Sequence, residues 1–247
     1  KEDNLTKFNE IMRNNLQKVM LDSLNITHYD IAKVVHLMFK YSFVCASARK
    51  SVWYHFNQHK WNELDDAMEL KQKISKDVID EYWKLNATLS QKANELDSDS
   101  YEREVILARC KQVMKIITKL KTHSFKNSVV SECSELFHIH KFEERLDTNV
   151  NLIGFNNGVY DLVEGKFRNG LPEDYISFST NIDYIEYETD SDEVKDINVF
   201  LKQILPNTAV KNYVVRLLSS FLSGKTGNEK FHIWTGSGGN GKSKLIE

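Results

Sequence analysis

Hydrophobic residues recur every three or four positions through most of the first 150 residues. One set runs from Leu5 to Met20 and a second from Ile31 to Phe39, and both follow the period of an amphipathic helix. Thr27 precedes the second set and is a favourable N-cap residue. The same pattern predicts three further helices, over about 67–95, 99–122 and 125–138.

The distribution of glycine and proline supports this helical prediction. All ten glycines lie at or after Gly154, and both prolines, Pro172 and Pro206, follow it. Glycine and proline are the strongest local interrupters of regular structure. Residues 1–150 are therefore predicted as a mainly α N-terminal domain.

An aromatic stretch interrupts the helical pattern near residues 51–63. "SVWYHFNQHKWNEL" places β-prone aromatics on both sides of a polar turn, which predicts a small β-hairpin. We expect Trp53 and Trp61 to pack together, because tryptophan is usually mostly buried. Aromatics of this kind can instead stack on unpaired bases when they are exposed.

From residue 151 the apolar runs become short. "NLIGF", "GVYDLV" and "KFR" predict strands joined by glycine-containing turns, and "YISFS" and "IDYIEY" are two further strand candidates. Residues 151–188 are therefore predicted as a β-rich segment. Residues 189–247 are predicted to contain a helix pair, one strand and a glycine-rich loop.

Local signals set the expected ends of the helix pair. Asp190 followed by Glu193 is a capping signal for the first helix, which Pro206 ends. Apolar positions over 210–221 predict the second helix, and Gly224 is placed to terminate it. Apolar residues at 231, 233 and 234 then predict a buried strand.

The glycine-rich loop matches the phosphate-loop pattern G-x-x-x-x-G-K-[ST] at every fixed position. The candidate nucleotide-binding residues are Gly236, Ser237, Gly238, Gly239, Asn240, Gly241, Lys242 and Ser243. Glycines let backbone N–H groups converge on a phosphate, and the start of the following helix also favours an anion. Lys242 and Ser243 are the candidate catalytic residues: the ammonium group would reach the β- and γ-phosphates, and the hydroxyl would bind Mg²⁺.

Composition limits the class of protein. The chain has 247 residues, of which 41% are hydrophobic and 28% charged, as in a globular protein of one or two domains. No apolar run approaches the roughly 18 residues of a membrane helix. The charged start lacks an initiator methionine and is not a signal peptide, so we expect both ends to continue in a longer protein. Cys45, Cys110 and Cys133 are widely spaced, which favours a reducing intracellular compartment over disulfides or a zinc cluster.

The formal net charge is −2, so any nucleic-acid surface must be local. Lys111, Lys115 and Lys119 fall four residues apart on one face of the predicted 99–122 helix, and they form the candidate DNA-binding stripe. Three more basic residues lie nearby in the sequence: Arg109, Lys121 and Lys126. The alternative is an ordinary solvated helix face.

Several stretches together resemble the viral primase–helicases of poxviruses and giant DNA viruses, with a loop style shared by satellite-phage-type primases. These stretches are "WYHFNQHKW", "NGVYDL", "IDY" and "FHIWTGSGGNGKS", and the resemblance covers about residues 50 to 247. It implies a pre-helicase region followed by the start of an α/β P-loop domain, the superfamily 3 helicase core of the AAA+ kind. It also implies a hexameric ring that uses ATP and Mg²⁺ to unwind single-stranded or forked DNA, in the host cytoplasm or at a viral replication site.

The family also requires a Walker B acidic pair, a polar sensor and an arginine finger, which we expect beyond Glu247. We therefore expect the 247 residues alone to hydrolyse ATP poorly. Two other functions are considered beside this one: an oligomerisation or partner-binding module of such a protein, which would contact other replication proteins, and an unrelated P-loop NTPase.

Overall fold

The periodic apolar residues of the N-terminal region form helices in the computed structural model, which describes residues 2–224, 231–236, 238–239 and 241–246. The chain divides into two units, Lys1–Asn57 with Trp61–Leu146, and Gln58–Lys60 with Asp147–Glu247. The helices of the first unit are α1 (Glu2–Asp22), α2 (His28–Phe39), α3 (Met68–Lys73), α4 (Ile79–Asn94), α5 (Tyr101–Leu120) and α6 (His123–Leu136). The predicted helices are thus confirmed.

Local chemistry explains where these helices begin and bend. The Thr27 hydroxyl accepts a hydrogen bond from the Asp30 backbone N–H at 3.1 Å, as its N-cap position requires. The predicted 67–95 helix contains a π turn, Ile74–Val78, between α3 and α4. Both Ile74 and Val78 are fully buried, so the extra residue in the turn keeps two apolar side chains in the core.

The predicted hairpin belongs to a three-stranded antiparallel sheet in the order β1–β2–β3. Its strands are β1 (Phe43–Ser47), β2 (Val52–Asn57) and β3 (Lys60–Leu64). Trp53 and Trp61 are only 1% and 3% exposed. Their rings lie 5.7 Å from Phe137 and 5.1 Å from Phe142, respectively, between centroids. Both tryptophans are thus buried in the core, and neither is available to stack on a base. The predicted contact between the two tryptophan rings stays a prediction.

The second unit contains an antiparallel sheet of short strands, in the order β4–β5–β6. They are β4 (Leu152–Phe155), β5 (Gly158–Asp161) and β6 (Lys166–Arg168). Phe167 crosses Gly158, where an added Cβ would lie 2.5 Å from Cζ of the phenylalanine. Tyr184 stacks on the Phe167 ring at a centroid distance of 4.4 Å. The sheet therefore carries an aromatic cluster on one face.

Residues 175–188 form no strand, so the predictions for "YISFS" and "IDYIEY" are wrong. Side chains form hydrogen bonds with the backbone N–H and C=O groups that would otherwise pair with a neighbouring strand. The Asp147 carboxylate accepts from the N–H groups of Ser177 at 2.8 Å and Phe178 at 3.2 Å. Asn157 accepts from the Tyr184 N–H and donates to the Tyr184 carbonyl, at 2.8 and 2.9 Å. Such bonds compete directly with sheet formation.

Two further helices follow, α7 (Asp192–Ile204) and α8 (Thr208–Ser220). The N-cap of α7 is Ser191 rather than Asp190, because the serine hydroxyl accepts from the Val194 N–H at 3.3 Å. Helix α8 ends at Ser220 through a right-handed C-cap at Phe221 with φ of −75°. Gly224 therefore does not terminate it.

Residues 231–236 adopt no regular structure, so the predicted buried strand before the loop is wrong. Phe231 and Ile233 are 85% and 76% exposed. A strand needs a hydrogen-bonded neighbour, and both sheets of the described residues are formed by other segments. In the described residues the glycine-rich loop is followed by a short helix, α9 (Lys242–Ile246), and the expected start of an α/β P-loop domain stays a prediction. No helix in the described ranges is long and apolar enough to cross a membrane.

Candidate functional site

The glycines of the candidate phosphate loop adopt conformations that other residues rarely adopt. Gly238, Gly239 and Gly241 have φ values of +90°, +64° and +74°. Helix α9 begins directly after them at Lys242, and the Leu245 N–H donates to the Gly241 carbonyl at 3.1 Å. Positive φ costs glycine nothing and strains a residue with a Cβ. The composition of the loop and its backbone geometry therefore agree.

The loop glycines differ in the space around them. A Cβ added to Gly238 or Gly239 would meet nothing within 4 Å, whereas one added to Gly241 would lie 2.8 Å from Cγ1 of Ile204. Gly241 is thus required both by its positive φ and by its approach to the last residue of α7. The open space at the other two glycines leaves room for a ligand near their backbone.

The other predicted loop residues are described to different extents. Gly236 and Ser243 are exposed. Ser237 and Asn240 lie outside the described residues, and the description of Lys242 covers its backbone only. Positive-φ glycines and an exposed serine hydroxyl fit a phosphate group with Mg²⁺. In the described part of the chain, no group of three or more His, Cys, Asp or Glu side chains is placed to hold a metal ion.

An apolar groove of about 330 Å³ lies beside the segment before the loop. Its walls come from α8 and from residues 232–235, and Ile204, which crowds Gly241, also lines it. The Tyr213 hydroxyl and Nδ1 of His232 lie 3.3 Å apart at its edge. The end of α7 therefore contacts both the groove and the loop.

The predicted lysine stripe faces solvent. Lys111, Lys115 and Lys119 are all exposed on α5, while Val113 and Ile116 on the opposite face are fully buried. This confirms the amphipathic arrangement of the helix. A contact that the sequence does not indicate lies at the end of the stripe, where Nζ of Lys119 is 5.1 Å from the centroid of the Phe125 ring on α6.

The cysteines take no part in either surface. All three are free thiols, and Cys45 and Cys133 are buried. Burial raises the pKa of the Cys45 thiol to about 11 and raises that of Cys133 further. Both therefore remain protonated and unreactive near neutral pH.

Residues 32–208 match the D5 N terminal like family, and the chain belongs to this family. A protein of Acanthamoeba polyphaga mimivirus that is named as a helicase is 37% identical over 246 residues, which cover 100% of this chain and 25% of that protein. A protein of Invertebrate iridescent virus 3, also named as a helicase, is 35% identical over 142 residues, covering 57% of this chain and 15% of that protein.

A protein of African swine fever virus that is named as a primase is 28% identical over 241 residues, which cover 90% of this chain and 24% of that protein. The expected resemblance to viral primase–helicases is therefore confirmed. This chain spans a quarter or less of the length of these three relatives.

Proposed function

We propose that this chain is the pre-helicase region and phosphate loop of a DNA-replication primase–helicase that uses ATP and Mg²⁺ to unwind DNA. The observation that carries the proposal is the phosphate loop, in which Gly238, Gly239 and Gly241 have positive φ directly before α9. Relatives named as helicases and a relative named as a primase support the assignment to DNA replication. Family membership favours this function over an unrelated P-loop NTPase.

The proposed roles follow from the chemistry of the loop. Backbone N–H groups of the loop, Gly236 to Gly241, would point at the phosphates, where the bare glycine backbone at 238 and 239 leaves room. The Lys242 ammonium would stabilise charge that develops on the transferred phosphoryl group, and the Ser243 hydroxyl would bind Mg²⁺. Hydrolysis of the bound ATP to ADP and phosphate would supply the free energy for strand separation.

Assembly into a hexameric ring is part of the proposal. Several apolar side chains of α7 and α8 remain exposed, including Ile197 at 57% and Val215 at 42%. Exposed apolar residues at helical spacing are suited to a protein–protein interface. Such a contact would hold neighbouring subunits or a replication partner protein.

The test is Lys242→Ala in the full-length protein that includes this chain, with Lys202→Ala as the matched control. Lys202 is an exposed lysine on α7 in the same unit. Loss of a charge that stabilises the transition state should lower ATP turnover by roughly 100-fold or more, while the control should retain wild-type turnover. Wild-type turnover in a folded Lys242→Ala protein would contradict the assignment.

A further inference from the structure

One stretch of this chain contains basic residues and no carboxylates. Residues 105–131 contain six Lys or Arg residues and neither Asp nor Glu, so their formal charge is +6 in a chain of net charge −2. The remaining residues therefore carry −8. This stretch covers most of α5, the turn that follows it and the first half of α6. The first unit therefore contains one stretch in which positive charge is not mixed with negative charge.

The lysines of this stretch form no ion pair with a described carboxylate, a property that they share with some other lysines of the same unit, such as Lys18 and Lys92. Five lysines elsewhere in the unit form ion pairs with carboxylates: Lys33, Lys71, Lys73, Lys84 and Lys141. Five lysines within 105–131 form none with any described carboxylate: Lys111, Lys115, Lys119, Lys121 and Lys126. We refer to these five as the basic surface. Their charge is available to an external anion.

One contact joins α5 to α6 within the basic surface, and a second joins α6 to the π turn Ile74–Val78. Lys119 at the end of α5 lies over the Phe125 ring of α6, with Nζ 5.1 Å from the centroid. One residue further on, Nζ of Lys126 donates to the Ser75 hydroxyl at 2.5 Å. A neutral hydroxyl leaves the positive charge of the ammonium group uncompensated. The positively charged surface therefore continues from α5 onto α6 instead of ending at Lys119.

We propose that the basic surface is a path for the backbone of single-stranded DNA, running along α5 and onto α6, and that it binds DNA without nucleotide. The choice of DNA rests on the proposed function, and the path itself rests on charge and geometry. Three of its lysines form one row over about 12 Å of helix, at 1.5 Å per residue, which suits a single strand. Phe125 is only 9% exposed, so its ring contributes packing and not base stacking. Binding should therefore be independent of base sequence.

The number of lysines sets the expected salt dependence. Five phosphate contacts on a single strand predict a log–log slope of about −3.5, at about 0.7 per contact. Neutralising the α5 row, Lys111, Lys115 and Lys119, should leave a slope of about −1.4. Neutralising only Lys121 and Lys126 should leave about −2.1. The second variant tests the extension onto α6, which the α5 row alone would not predict.

The experiment measures fluorescence anisotropy of a labelled oligothymidine strand with the 247-residue chain, without nucleotide, over a range of salt concentrations. Lysine is replaced by glutamine, which keeps a donor for Ser75 at position 126. Lys18→Gln/Lys92→Gln is the matched control, because both lysines are exposed on α1 and α4 of the same unit. Circular dichroism verifies the fold of each variant.

Reduced slopes in both basic-surface variants with an unchanged control are the expected result. A wild-type slope in the folded Lys121→Gln/Lys126→Gln variant would overturn the extension onto α6. Binding to duplex but not to oligothymidine would overturn the single-strand path, and so would absence of binding by the wild-type chain. These outcomes are independent of the Lys242→Ala test, because ATP turnover is not measured here. Lys242→Ala in the same chain should bind oligothymidine like the wild type.

Discussion

A buried pair of hydroxyl groups gives the sharpest prediction for stability. Ser23 follows α1 and is the one polar residue among the described residues that is both fully buried and within the core of the first unit. Its Oγ donates to the Met20 carbonyl at 2.6 Å and lies 2.6 Å from the hydroxyl of Tyr82, a fully buried residue of α4. Because the single Ser23 proton goes to the carbonyl, the Tyr82 hydroxyl is the donor to Ser23.

Because Tyr82 is the donor, removing one hydroxyl should lower the free energy of unfolding by a different amount from removing the other. Ser23→Ala leaves the buried Tyr82 hydroxyl without its acceptor, which should lower the free energy of unfolding by about 1–3 kcal/mol. Tyr82→Phe removes that donor but leaves Ser23 bonded to the Met20 carbonyl, so it should cost about 0.5–1.5 kcal/mol. The double variant should cost less than the sum of the two, because it leaves no unsatisfied hydroxyl.

Urea unfolding followed by tryptophan fluorescence measures these costs. Three of the four tryptophans, Trp53, Trp61 and Trp83, belong to the first unit and report on it. Circular dichroism should give the same midpoints if this unit unfolds in one step. Equal costs for the two single variants would refute the assigned direction of the hydrogen bond. Costs that simply add in the double variant would refute the hydrogen bond between the two hydroxyl groups.

Two further predictions concern acid stability and the loop. Hydrogen bonds from Lys33, Thr27 and Asn25 lower the pKa of Asp30 to about 2. The contribution of Asp30 to stability is therefore present above its unfolded pKa of about 3.9 and is lost as pH falls towards 2. Asp30→Asn should reduce the dependence of the melting temperature on pH between about pH 4 and pH 2. An unchanged pH dependence would contradict this prediction. Gly241→Ala should weaken binding of a fluorescent ATP analogue more than Gly238→Ala. Both positions have positive φ, but only Gly241 lies close to Ile204. Equal losses of affinity would show that the contact with Ile204 is unimportant.

Elements with local signals were predictable from the sequence. The helices of the first unit follow from apolar spacing, and the cap of α2 follows from one threonine. The loop conformation after residue 175 was not predictable, because Asp147 and Asn157 hold backbone groups 27 to 31 residues away. An apolar run predicts a strand only when a neighbouring strand exists, and residues 231–236 have none among the described residues. The predicted boundaries at 150 and 188 stay predictions.

The basic surface is predictable from the sequence only in part. The absence of carboxylates from residues 105–131 is visible in the sequence, and so is the spacing of the α5 lysines. The availability of each lysine is not visible, because it depends on which carboxylates the fold brings near. Lys71 looks as free as Lys126 in the sequence, yet Asp66 pairs with it at 2.6 Å. The pair of Lys73 with Asp77 at 2.9 Å is visible in the sequence, because the two residues are four apart in a predicted helix. Ion pairing within the unit thus occupies some lysines, and the basic surface is distinguished from the other unpaired lysines because its members form a row along α5 that continues onto α6. The contribution of this row can be tested lysine by lysine.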